Sequence, residues 1–427
     1  MGIFLTASEI AAVSSSPLSY LLFWVVGGLV AFAGAQSVAE LATLHPVAGG
    51  DYVYLEKAYG PPVAFAWGWL SFVGAFCGSI ATLAAGAAET FASSSYGAGL
   101  ARTWIDLGFV QWTGAQVFAV ALVLSVTAVN CRGLQLSARL QELLTWVPIA
   151  IFVAIAFALL GSEPPEASQP AGPIGLRNGL DGLGAAFSAV FFTYAGWNAV
   201  IYVAGEVKEP ERTLPWSMGM GVLLVVVLYL GINVAFLEAL SLNEMANTRN
   251  VGVLAVGRLF GSNGSDIFAG VIFLSILSSL NSTSLGGSRV WKTMAEDGHF
   301  WRKAAVVHPR TGTPVVSLLA QAAFSILLVL TGDFGFLLSF TGAAMMLLSC
   351  LTVGTVFIFR RRLGAVAPYK AFGYPWVPVL FIAALVAALA VGVAADSLPF
   401  LVGGVSLVAL LILHAVLRLA RPRPDGL

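Results

Sequence analysis

Residues Phe191 to Pro210 read FFTYAGWNAVIYVAGEVKEP. The stretch lies inside an apolar run long enough to cross a bilayer. Yet it sets Thr193, Tyr194, Gly196, Trp197 and Asn198 together in the middle of that run. Hydrocarbon offers no hydrogen-bond partners, so polar positions at this depth must face protein or a watered cavity. Gly196 supplies the backbone freedom for a break. A break frees main-chain groups on both sides of it. The carbonyls that end the first half suit a cation, and the N–H groups that start the second half suit an anion. The ammonium and carboxylate of an amino acid match those two ends. The plainer alternative is a kinked helix whose glycine permits close packing.

The rest of the chain is written for the same solvent. Of 427 residues, 58% are hydrophobic and 10% charged, with zero formal net charge and a mean hydropathy of +0.89. Soluble domains carry about 25% charged residues. The composition therefore specifies an integral membrane protein in a lipid bilayer, and the neutral balance argues against nucleic acid as a partner. Cys77, Cys131 and Cys350 lie in or at the ends of apolar runs with no CxxC or neighbouring His. They read as small buried hydrophobes, so no metal and no cofactor is expected.

A helix crossing about 30 Å of hydrocarbon needs roughly 20 residues. Apolar runs of that kind cover 18–44, 62–92, 112–130, 140–160, 180–205, 215–240, 265–291, 314–331, 334–359, 375–395 and 398–418. The expected architecture is all-α, with eleven full spans. Ahead of them, MGIFLTASEIAAVSSS at residues 1–16 is apolar but too short to cross, and it lacks the basic start of a signal peptide. It reads as an N-terminal half-span. If the loop after 18–44 is cytoplasmic, 17 of the 21 Lys and Arg residues fall on the cytoplasmic side and 4 on the other. That bias places the C-terminus inside. The segment SLNEMANTRNVGVLAVGRLFG reads as a short surface helix on the outer side.

A broken span that opens a second five-helix unit implies a first unit opening with its own break. The chain starts MGIF and continues as one half-helix. The expectation is that the other half, roughly ten to twelve residues by analogy with the intact span, is absent from this sequence. A mis-assigned start and a degenerate, inactive copy both account for that.

Further motifs follow in order: AELATLHPVAGGDYVY (39–54), Phe192, Tyr194, Gly196, Trp197 and Asn198 as F-x-Y-x-G-W-N, then GEVKEPERTLP, SRVWKTMAEDGHF and VHPRTGTPVVSL. Together they resemble the amino acid–polyamine–organocation (APC) superfamily, and within it the L-type amino acid transporter (LAT) branch. Members carry G-S-G-I-F in the first helix, of which Gly2, Ile3 and Phe4 stand here. The resemblance implies one transmembrane domain over 1–427 with a leucine-transporter-type 5+5 inverted repeat. The first repeat would cover about 1–160 and the second about 179–360, with two extra helices at about 375–418. It implies secondary transport of amino acids by alternating access, with exchange as the expected mode. Gly2 and Ile3 would present amides to the substrate carboxylate, and Phe192 would gate the site. Ala195 and Gly196 would line the break, Trp197 would shape the pocket wall, and Asn198 would add a polar contact. Alone, Phe192 reads equally well as packing.

Ser275, Ser278, Ser279 and Ser282 share one helix face. Ser278, Ser279 and Ser282 are candidates for lining the pocket or holding a coupling ion, Na+ or H+. Bonds to their own i−4 carbonyls are the alternative. Glu40, Glu206 and Arg289 lie at inner ends of spans and are candidates for inner-gate ion pairs, with interfacial snorkelling as the alternative. Gly74 and Gly78 read as packing. No Asp, Glu, Lys or Arg is expected at mid-depth beside YAGWN, which favours a zwitterionic substrate with an uncharged side chain.

Two departures from the family pattern bear on coupling and partners. Many members carry Lys seven residues after a Gln in the fifth helix, whereas Gln141 here is followed at that spacing by Pro148. Residues 93–111 contain no Cys, so no disulfide-linked subunit is expected. The rival functions are an amine or polyamine carrier, which calls for an acidic pocket, and a non-transporting amino-acid sensor. An intramembrane enzyme has no constellation to work with, since His45, His299, His308 and His414 lie in loops or at interfaces.

Overall fold

The computed structural model describes residues 3–92, 94–106, 111–160, 175–177, 182–248, 250–332, 334–364, 367–395 and 397–420. Gly2 and most of loop 161–179 lie outside them.

Helix α1 (Ile3–Val13) leads through Ser14–Ser16 into α2 (Pro17–Leu44). Ser16 caps α2 by accepting from the Ser19 N–H, and Pro17 supplies a first-turn residue that needs no acceptor. A Gly49–Gly50 turn starts α3 (Asp51–Tyr59). The third span, Pro61–Ala92, is α4 (Pro61–Leu70) and α5 (Gly78–Ala92) joined by a π-helical segment, Ser71–Cys77. Then come α6 (Gly114–Arg132), α7 (Leu134–Leu160) and α8 (Leu183–Tyr194), followed by a 3₁₀ helix, Ala199–Glu206. Helices α9 (Pro210–Ala239), α10 (Leu242–Ala246), α11 (Val251–Glu296), α12 (Val315–Thr331), α13 (Phe334–Leu363), α14 (Trp376–Ala395) and α15 (Ser397–Ala420) complete the bundle.

Among the described residues, ten helices are long and apolar enough to cross a membrane. The remaining expected span, 314–331, is the 17-residue α12. Two details depart from the sequence reading. The segment between α5 and α6 holds a small antiparallel hairpin, β1 (Thr103–Asp106) and β2 (Gln111–Thr113), which the all-α expectation omitted. Trp104, Ile105, Trp112 and Thr113 are residues that favour extended backbone. The expected surface helix at 241–261 forms as two pieces, α10 and the first turns of α11. Gly261 kinks α11 at φ +69° before the span proper.

The core is formed by close helix–helix approach. A Cβ at Gly74 would stand 2.7 Å from Ala344, and one at Gly78 would stand 2.4 Å from Thr341. Packing is therefore what this glycine pair does. Helix α1 lies against α8, where the Thr6 and Thr193 hydroxyls meet at 2.8 Å.

Candidate functional site

Helix α8 stops at Tyr194, in the middle of its apolar run. Ala195 turns extended (φ −59°, ψ 153°), and Gly196 takes φ +104°, a conformation that an L side chain rarely adopts. Asn198 then precedes the 3₁₀ helix. The surviving main-chain bonds here are short-range: the Ala195 N–H to Phe192 O at 3.1 Å and the Ala199 N–H to Gly196 O at 2.9 Å. Among the described residues, the amides of Gly196, Trp197 and Asn198 make no backbone hydrogen bond. A Cβ at Gly196 would meet nothing within 4 Å, so the chain opens onto space here.

That space is a cavity of about 190 Å³. Phe192, Ala195, Gly196 and Asn198 form one wall, with Ser279, Ser282 and Gly286 of α11 contributing another. The third span adds Trp67, Ser71, Phe76 and Ser79. Its π-helical segment carries Ser71 and Phe76, and such local widening re-aims side chains.

The sequence reading missed Asp51. The expectation concerned charged residues at mid-depth beside the break; Asp51, on α3 between two spans, lines the cavity and is 3% exposed. Its Oδ2 accepts from the Tyr202 hydroxyl at 2.8 Å and from the Asn198 amide at 3.2 Å. Asn198 also donates to the Tyr202 oxygen at 3.1 Å. Among the described residues Oδ1 has no hydrogen-bond partner, and neither do the buried Trp67 Nε1 and Ser71 Oγ. Burial pushes the Asp51 carboxyl up to about 6, against the opposing pull of Tyr202, Thr352 and Asn198. The Gly-Gly turn makes the approach feasible. At Gly50, φ is +52° and a Cβ would lie 2.7 Å from the Tyr202 ring and 2.8 Å from Ile201. The signal in the sequence was this glycine pair directly ahead of an acid, read there only as part of a family motif.

Other expected residues go elsewhere. Trp197 is not on the cavity wall; it packs edge-on against Phe381 of α14, with centroids 6.4 Å apart. A tight turn sends adjacent side chains in opposing directions, and the larger one takes the space between helices. Ile3 lines a second, more apolar cavity of about 380 Å³ with Phe4, Pro148 and Phe152. Ser278 faces that cavity too, bonded to Gln141 at 2.8 Å and to Thr145 at 3.1 Å. Ser279 and Tyr229 border both cavities. Ser282 donates to the Ser279 carbonyl at 3.1 Å, a bond within its own helix.

Of the inner-gate candidates, Glu206 pairs with Arg289 at 2.9 Å. Glu40 instead receives a two-pronged bond from Arg360 at 2.7 and 2.6 Å and a third from the Ala371 N–H at 2.7 Å.

Comparison with known proteins gives the family. Residues 1–415 match the family described as amino acid permease. The serine/threonine exchanger SteT of Bacillus subtilis (strain 168) is 31% identical over 389 residues, covering 90% of this chain and 84% of its own. The b(0,+)-type amino acid transporter 1 of Mus musculus is 24% identical, over 84% of this chain and 72% of its own. The large neutral amino acids transporter small subunit 2 of the same species is 26% identical, over 84% and 67%. With apolar spans, a span broken at mid-run and a family match over nearly its whole length, the chain belongs to the amino acid permease family: it is an integral membrane transporter of amino acids, not an enzyme.

Proposed function

We propose that this permease exchanges small neutral amino acids across the cytoplasmic membrane by alternating access, with the substrate bound in the cavity beside Gly196. The observation that supports the reading is the unwound segment 195–198, whose Ala195, Gly196 and Asn198 border the cavity and in which the amides of Gly196, Trp197 and Asn198 have no backbone partner among the described residues. Those amides suit the substrate carboxylate, and the end of α8 suits its ammonium. Phe192 would close over the bound molecule. A cavity of about 190 Å³ is smaller than the 300–1,000 Å³ typical of drug-sized ligands, which favours a small substrate. Exchange is supported by the 31% identity to a serine/threonine exchanger.

A 5+5 inverted repeat is supported by how the halves pack. Helix α1 lies on α8, α2 on α9, α5 on α11 and α6 on α12, so corresponding members of the two halves meet in pairs. The repeats would span about 1–160 and 179–360 of a single domain, with α14 and α15 as additions and the C-terminus cytoplasmic. Counterflow tests the reading. Proteoliposomes loaded with unlabelled serine, alanine or leucine should accumulate the labelled amino acid from outside. Binding without counterflow would mark a sensor and contradict it.

A further inference from the structure

Four acids elsewhere in the chain are matched with bases: Glu40 with Arg360, Glu206 with Arg289, Glu244 with Arg258 and Glu296 with Lys292. Asp51 forms no such pair among the described residues, although it is buried and borders the cavity. The surrounding elements explain this. On its own helix, Lys57 turns to His45 at 3.2 Å, while Glu56 and Tyr54 add no positive charge. Helix α4 carries no charged residue. The 3₁₀ helix offers the Tyr202 hydroxyl, and its Glu206 engages Arg289 of α11, whose Lys292 engages Glu296. Helix α13 contributes Thr352, while its Arg360 is held by Glu40 and its Arg362 by the Lys57 carbonyl at 3.2 Å. A carboxylate at Asp51 is thus held by hydrogen bonds alone. The two donors to Oδ2, Asn198 and Tyr202, belong to the segment that leaves the break, while Thr352 of α13 also favours the anion. Any change in the charge of Asp51 must therefore act on the unwound segment, and by linkage the reverse holds.

We propose that Asp51 is a proton-binding site whose protonation accompanies amino-acid movement through the cavity. The inference rests on the transport reading above. The step is a simple transfer. Oδ1, unpartnered in the structure, takes H+ from water in the cavity and becomes the O–H of a neutral acid. On release the bonding pair returns to Oδ1 and the proton to water. The neutral acid suits the buried position, and burial lifts the carboxyl to about 6, so both forms are populated near neutral pH. Tyr202 and Asn198 favour the anion, so the position of the unwound segment sets how readily the proton leaves.

The test uses the full chain in proteoliposomes holding a lumenal pH dye, with serine, alanine and leucine each offered as probe. For wild type, an acid-outside gradient should raise initial uptake several-fold. Asp51→Asn should lose that response. Tyr202→Phe keeps the carboxyl but removes a donor to its anion, so the midpoint of the pH profile should move upward. That variant keeps the proposal testable if Asp51→Asn fails to fold. Wild-type counterflow that ignores the gradient overturns the proton site and leaves the transport reading standing. Gradient response retained in Asp51→Asn, or an unmoved midpoint in Tyr202→Phe, overturns it as well. Absence of wild-type counterflow for every probe removes both readings.

Discussion

The hydroxyl of Tyr202 donates to Oδ2 of Asp51 over 2.8 Å, tying the helix that follows the unwound segment to a carboxylate 151 residues earlier. One bond thus joins a short helix outside the spans to the part of the molecule that faces the cavity.

Stability should register that bond as pH changes. The folded Asp51 titrates near 6, against 3.8 for the unperturbed group. Its contribution is fully present below the lower value and is lost as pH rises through about 6. The loss amounts to about 3 kcal/mol, at roughly 1.4 kcal/mol per unit. Thermal unfolding in detergent from pH 4 to 7 should show that fall for wild type and a flatter line for Asp51→Asn.

Close approach at Gly50 gives a second prediction. Gly50→Ala puts a methyl 2.7 Å from the Tyr202 ring. Overpacking of this kind costs about 1–3 kcal/mol. Helix α3 should retreat, breaking the Asp51–Tyr202 bond. Melting temperature should fall, and the pH profile of transport should shift upward as it does for Tyr202→Phe.

The ion pairs of Glu40 and Glu206 should behave differently. The side chains of Glu40 and Arg360 are 5% and 16% exposed, whereas Glu206 is 55% exposed. Glu40→Gln leaves Arg360 short of its partner and should cost about 3–5 kcal/mol. Glu206→Gln should cost under about 1 kcal/mol. Denaturation midpoints of the two variants, measured side by side, check the contrast.

Neighbours at the break should separate function from packing. Asn198 lines the cavity, while Trp197 packs on Phe381. Asn198→Ala should raise the KM for counterflow substrate. Trp197→Phe should lower thermal stability with a smaller change in KM. Equal effects on KM would contradict this division.

How far these features could be read from sequence follows from their range. The spans were legible because hydropathy is a local property, and the expected runs coincide closely with the helices. The break was legible because Gly196 and its polar neighbours sit inside an apolar run. Asp51 was not, because a residue 7 positions beyond the end of α2 reads as loop. Its burial arises only when the Gly49–Gly50 turn folds α3 onto the 3₁₀ helix. The partner of Glu40 was hidden for a similar reason: Arg360 is 320 residues away. Trp197 was misplaced because the direction of a side chain at a turn depends on backbone angles that composition does not report. The π-helical segment at Ser71–Cys77 left no periodic trace, since neighbouring apolar residues mask a one-residue shift.

The most direct test of the account is an experimental structure of the protein with a bound amino acid. The account predicts the carboxylate within hydrogen-bonding distance of the amides of Gly196, Trp197 or Asn198, in the cavity bordered by Asp51. An amino acid lodged elsewhere, with 195–198 wound into a regular helix, would contradict it.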